Sequence, residues 1–164
     1  MVKTNAIRIL ESKGVQYDTL EYLYDTSDLS VGKIAHDLHM PVAQIFKTLV
    51  AKGDKTGVLI AVIPGDRELD YKILAKASGN KKVTLVALKE LQPLTGYIRG
   101  GCSPVGMKKP YPVFIHSSAK DWDRIYVNAG KTGLLIGVAP DQLKEVTMGI
   151  WIEEPTTPPY CGRH

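Results

Sequence analysis

The 164-residue chain sets 21 Lys+Arg against 17 Asp+Glu, a formal charge of +4 at pH 7, with 44% hydrophobic and 23% charged residues. That balance excludes chain-wide disorder and describes a soluble globular domain; a charge this small permits contact with RNA or phosphate without requiring it. No apolar run nears the roughly 20 residues of a membrane helix. The first residues, Met1–Asn5, lack a signal-peptide apolar stretch, and two cysteines, Cys102 and Cys161, make neither a disulfide framework nor a zinc set. A cytoplasmic protein with no membrane contact is expected.

Thr4 or Asn5 caps a first helix carrying Ala6, Ile7 and Leu10, and Gly14 ends it. Residues 15–24 read as a strand, with Leu20, Tyr22 and Tyr24 alternating with Glu21 and Leu23. After a polar loop, Ser30 caps a helix whose Val31, Ile34, Ala35 and Leu38 form one apolar face, stopped by Pro41. Residues 45–51 and 57–63 are strands joined by a Gly53–Gly57 turn, the second nearly all apolar and so covered on both faces. Asp70 caps a helix over 71–78 with Gly79 beyond its end. A strand at 83–86, a short helix at 87–91 and a strand-like 97–99 lead into the loop Gly100–Gly106. Strands follow at 113–116, 125–127 and 134–138, then a helix at 140–146 with Pro140 in its first turn. Residues 1–154 read as one domain and 155–164 as a flexible tail. The sum, about seven strands and roughly four to six helices without strict βαβ alternation, predicts a mixed α+β fold: a curled, largely antiparallel mixed sheet or barrel surrounded by helices.

Three features carry chemistry. Lys47 lies between Ile45 and Leu49 on one strand face, a lone charge on a strand with no wet side. Such a lysine serves sites for carboxylates, esters or phosphates, or it snorkels from a strand edge. The Gly100–Gly106 loop brings Gly100, Gly101 and Gly106 together with Ser103 and Pro104. Its amides can approach an oxyanion, where one donor is worth ~3 kcal/mol, or it is a wide structural turn; Arg99, Lys108 and Lys109 flank it. Residues 128–133, with Gly130 and Lys131, are a ligand loop or a plain hairpin turn. His36 and His39 have no third metal ligand near them, and Cys102 has no base in sequence reach. No P-loop, nucleophile elbow, zincin or dinucleotide fingerprint occurs, so no cofactor and no metal are expected.

Taken together, Phe46-Lys47-Thr48-Leu49-Val50, the strand ending Pro64-Gly65-Asp66, the run Gly100-Gly101-Cys102-Ser103-Pro104-Val105-Gly106-Met107-Lys108-Lys109 and the segment Ile125 to Leu134 resemble the YbaK family of aminoacyl-tRNA deacylases. That family is related to the editing domain of bacterial prolyl-tRNA synthetase, and the likeness runs from about Thr4 to Ile152. It implies a YbaK-like editing domain that hydrolyses the ester of a mischarged tRNA in trans, chiefly Cys-tRNA(Pro), with no cofactor. The implied partners are the acceptor end of an aminoacylated tRNA and prolyl-tRNA synthetase. It places catalytic roles on Lys47, Gly101 and Ser103, and substrate binding on Tyr22, Thr48, Gly100, Pro104, Gly106 and Gly130. Contact with tRNA falls to Arg99, Lys108, Lys109 and Lys131. It also implies that the substrate's own thiol attacks its ester, which removes the need for an enzymic nucleophile. Asn128 and Ala129 stand where the family often has Ser or Gly, and Cys102 where it is usually aliphatic. The other readings are a non-catalytic aminoacyl or small-ligand-binding module of the same fold, and a hydrolase with Cys102 as nucleophile.

Overall fold

Five α-helices and eight strands succeed one another along residues 3–153, the part of the chain described by this computed structural model. The expected tail, residues 155–164, lies outside the described residues, as does Cys161. Helix α1 (Asn5–Ser12) starts at Thr4, whose hydroxyl accepts the Ile7 N–H, and it buries Ala6, Ile7 and Leu10. Strand β1 (Asp18–Glu21) is shorter than the ten residues the alternation predicts. The chain peels away after one further backbone bond, Tyr22 N–H to Gly133 O at 2.9 Å, leaving Leu23 93% exposed. Helix α2 (Val31–Leu38) is capped by Ser30, whose Oγ accepts the Lys33 N–H, and ends at His39 in the left-handed region.

Strands β2 (Phe46–Gly53) and β3 (Gly57–Pro64) form an antiparallel hairpin that sets Lys47 opposite Ile63. Helix α3 (Tyr71–Ser78) and strand β4 (Val83–Leu85) follow as the capping signals predict. Helix α4 (Leu88–Thr95) runs past the predicted end and through Pro93. Its terminal carbonyls, which lack helical partners, are taken by side chains: Lys108 Nζ donates to Pro93 O and Tyr111 Oη to Leu94 O. Residues 97–99 are not a strand; Tyr97 is instead pinned in the loop by its hydroxyl, which donates to Val105 O at 2.6 Å. Strands β5 (Val113–His116), β6 (Ile125–Asn128) and β7 (Leu134–Val138), helix α5 (Pro140–Thr147) and strand β8 (Ile150–Ile152) complete the chain. Three residues are too few to show a period, so β8 is not legible in the sequence.

The curled mixed sheet divides in two, ordered β1-β7-β6 and β4-β2-β3-β5-β8. The first is antiparallel throughout; in the second, β5 pairs parallel with both β3 and β8. One side of β2–β3, with Phe46, Val50, Ile60 and Val62, packs on α1, β6 and β7; the other, with Ala51, Leu59, Ala61 and Ile63, packs under α3. That double burial explains the unbroken apolar run in β3, and each fully buried Val, Leu, Ile or Phe among them contributes about 1.5–3 kcal/mol. A third cluster joins Tyr22, Ile34, Ala35, Ile45 and Leu135 and fixes α2 against the three-stranded sheet.

Candidate active site

A cavity of about 350 Å³ opens between the two sheets. It exists because β4 pairs only with Ala51–Gly53, so the first half of β2 has no partner strand on that side beyond a bridge from Ile45 to Tyr126. Lys47 and Thr48 line one wall, Tyr22, Asn128 and Leu135 another, and the start of α2, Gly65 and the turn at Gly100 and Cys102 close it. A side chain at Gly65 would collide with Val31, so glycine there lets α2 sit against the end of β3.

The electrostatics are one-sided. Lys47 is the one charged side chain among the described residues lining the cavity, and no carboxylate joins it. It is half-buried and has no ion-pair or hydrogen-bond partner among the described residues. A cation so placed attracts phosphate, carboxylate or a developing oxyanion. Thr48 Oγ1 is buried in the same wall without a hydrogen-bond partner among the described residues. Burial pushes the Tyr22 hydroxyl up, while hydrogen bonds from the Gly133 backbone and the Asn128 side chain act the other way.

The glycine loop divides. Gly100 and Cys102 border the cavity; Gly101, Ser103, Pro104, Gly106 and Gly130 do not. Gly101 cannot supply the oxyanion amide expected of it, because its N–H donates to Ile98 O at 2.9 Å. Nor can Ser103 act on a ligand: it is fully buried, and its Oγ accepts the Val105 N–H. Pro104 and Gly106 line a separate groove with Lys108 and Lys109. Gly100 has φ +80°, where a side chain is strained, and a Cβ there would stand 2.9 Å from the Leu29 side chain, so glycine favours this corner. Of the basic residues, Arg99 and Lys131 are exposed beside the loop and the 128–133 hairpin turn, whereas Lys108 is engaged at the end of α4.

Two features escape sequence reasoning. The first is the start of α2. Val31 and Gly32 border the cavity, and their N–H groups, in the first helical turn, lack helical acceptors. Nothing lies within 4 Å of where a Gly32 Cβ would stand. A glycine inside a helix, at a cost of about 1 kcal/mol, is the signal that could have found it. The second is Asn128, whose Nδ2 donates to Gly100 O at 2.7 Å while its Oδ1 accepts the Gly130 and Lys131 N–H groups at 2.7 and 3.1 Å. The 128–133 segment is thus a hairpin turn and also the support of the glycine loop.

Burial raises the Cys102 thiol from 9.0 to about 11 and the Tyr97 hydroxyl from 10.0 to about 12. Cys102 therefore stays a neutral thiol at physiological pH, which is wrong for a nucleophile. Both folded pKa values lie above the unfolded ones, so the stability they contribute is complete below about pH 9 and is lost as pH rises to about 12. Urea titrations across that range should show falling stability, and Cys102→Ala should remove the lower part of the fall.

Residues 29–146 match the aminoacyl-tRNA editing domain family. Over 92% of both chains, the sequence is 48% identical to an Enterococcus faecalis protein named Cys-tRNA(Pro)/Cys-tRNA(Cys) deacylase EbsC. It is 34% identical over 91 residues to proline–tRNA ligase of Thermosipho africanus, a stretch covering 56% of this chain and 16% of the ligase. The fold matches a crystal structure described as a trans-editing enzyme for prolyl-tRNA synthetase with a TM-score of 0.79, 24% identity, and coverage of 93% of this chain and 98% of that one. It matches the crystal structure of hypothetical protein APE2540 with a TM-score of 0.83, 24% identity, and coverage of 92% and 98%.

Proposed function

The chain belongs to the aminoacyl-tRNA editing domain family, and on that premise we propose that it is an aminoacyl-tRNA deacylase that removes cysteine from mischarged Cys-tRNA(Pro) in trans. The observation that carries this reading is Lys47, without a partner among the described residues, in a cavity to which none of them brings a carboxylate. Such a site suits an ester whose carbonyl oxygen gains negative charge and whose leaving group carries ribose and phosphate.

In the proposed chemistry the substrate's thiol sulfur bonds to the ester carbonyl carbon. The carbon–oxygen bond to the ribose then breaks, the thiol proton passes to the ribose oxygen, and the cyclic thiolactone released is hydrolysed by water. Lys47 and the free amides of Val31 and Gly32 at the start of α2 receive the oxyanion. Thr48 Oγ1 and the Tyr22 hydroxyl bind the aminoacyl group, and the Gly100 corner shapes the floor. No enzymic nucleophile is needed, in keeping with the neutral Cys102 thiol. Editing supplies discrimination that a proline pocket lacks, since small apolar differences are worth only ~1–3 kcal/mol.

With a net charge of +4, tRNA affinity is expected to be weak and salt-sensitive. Prolyl-tRNA synthetase is the proposed partner that delivers the substrate, and the cytoplasm the proposed setting. No helix among the described residues is long and apolar enough to cross a membrane.

The test is release of cysteine from Cys-tRNA(Pro), alongside Ala-tRNA(Pro) and Pro-tRNA(Pro). The first should be consumed and the correctly charged tRNA spared; no turnover of any would leave only the binding-module reading. Cys102→Ala should keep activity within about threefold of the parent. A loss of 100-fold or more there would restore the cysteine-nucleophile reading.

A further inference from the structure

A second concavity, again of about 350 Å³, lies against the first and shares Tyr22 as its partition. Glu21, Tyr24, Lys131 and Gly133 form its sides. We propose that this groove is the subsite for the nucleotide preceding the terminal adenosine of the substrate RNA, with its base stacked on Tyr24 and its phosphate held by Lys131. The inference rests on the deacylase reading and extends it beyond the aminoacyl group.

Tyr24 is 52% exposed, yet its ring is held in place. It meets Tyr22 edge-on, with centroids 6.5 Å apart and planes at 70°. On another side it rests against the backbone of Gly133, where a Cβ would come within 3.1 Å of the ring. An aromatic ring fixed by its neighbours but left open to solvent is a pre-ordered stacking platform, and stacking tolerates any base. Lys131 is exposed and has no ion-pair partner among the described residues, which suits a phosphate. Glu21 is the opposing charge in the groove, which leaves Lys131 as the group there that attracts a phosphate. An RNA end whose aminoacyl group occupies the first cavity leads its terminal adenosine over Tyr22, the residue the two concavities share, and brings the preceding base to Tyr24. A protein partner on the exposed Leu23 and Tyr24 is the rival occupant, which the experiment separates.

The experiment has two arms. The first compares turnover of Cys-tRNA(Pro) with that of a cysteinyl ester of adenosine alone, for the parent chain, Tyr24→Ala and Tyr24→Phe. Tyr24→Ala should cut the preference for tRNA over the adenosine ester about tenfold or more, and Tyr24→Phe should keep it. An unchanged preference overturns the proposal, whether both activities fall together or neither does. So does a defect that appears only when the synthetase is added, because the patch would then dock protein. The second arm needs no turnover: NMR of the whole chain titrated with the trinucleotide CCA. Amides of Lys131, Thr132 and Gly133 should shift with CCA and not with adenosine, and the shifts should vanish in Tyr24→Ala. If the parent cleaves neither ester, the deacylase reading fails and this titration alone decides the subsite; absent shifts overturn it.

Discussion

Lys47→Ala should lower kcat/KM for Cys-tRNA(Pro) by about 10²–10³-fold while leaving the melting temperature within a few degrees of the parent. The size follows from the role: a preorganised, half-buried charge-stabilising group is worth roughly that much when it acts on charge developing in the transition state. The small stability effect follows from the geometry. Lys47 is half-buried and has no partner among the described residues, so its removal orphans no carboxylate and breaks no hydrogen bond. A buried ion pair cut at one end would cost 3–5 kcal/mol; here that cost does not arise. Lys47→Met, which keeps the packing of the aliphatic stem, should be as inactive as alanine. Lys47→Arg should recover only part of the rate, because a planar fork delivers its charge elsewhere than an ammonium does. Single-turnover deacylation with circular dichroism melts checks all three. Retention of a third of the rate in Lys47→Met would remove the ammonium from the proposed chemistry.

How far the site was legible follows from what each residue's surroundings depend on. Lys47 is visible because an alternating strand makes a lone charge conspicuous, and the register of β2 on β3 keeps both its faces covered. Tyr22 and Gly100 reach the cavity as the resemblance implies. What a linear reading misses is which loop amides remain free. Gly101 looks like a donor in a glycine run, yet its N–H closes a turn on Ile98, and Ser103 turns inward to serve Val105. The start of α2 borders the cavity because Ile34 and Ala35 anchor the helix to Tyr22, Ile45 and Leu135, a long-range contact that no local pattern announces. The fold shows the same division. Capping residues locate α1, α2 and α3, whereas the end of α4 depends on Lys108 and Tyr111, thirteen or more residues beyond it in sequence.

Asn128→Leu should lose both stability and activity, and Asn128→Asp should separate the two. Leucine keeps the volume and removes every polar bond. Gly100 O then loses its donor and the Gly130 and Lys131 N–H groups their acceptor. Leaving such groups unpaired costs about 1–3 kcal/mol, and each kcal/mol lowers the melting temperature of a domain this size by about 2–4 °C. The Gly100 corner, released from the hairpin, no longer holds the cavity floor, and a displacement of about 1 Å is worth about 10²-fold in rate. Aspartate retains the acceptor, so the 128–133 turn stays closed and most of the stability survives. As a carboxylate it cannot donate to Gly100 O, and it sets a negative charge in the cavity that Lys47 lines. The Asp variant should therefore be folded but slow at neutral pH. Protonation restores an O–H donor facing Gly100 O and removes the charge, so its rate relative to the parent should rise as pH falls through the carboxyl pKa. A flat ratio across that range, with a normal melting temperature, would mean that the Asn128–Gly100 bond does not position the site.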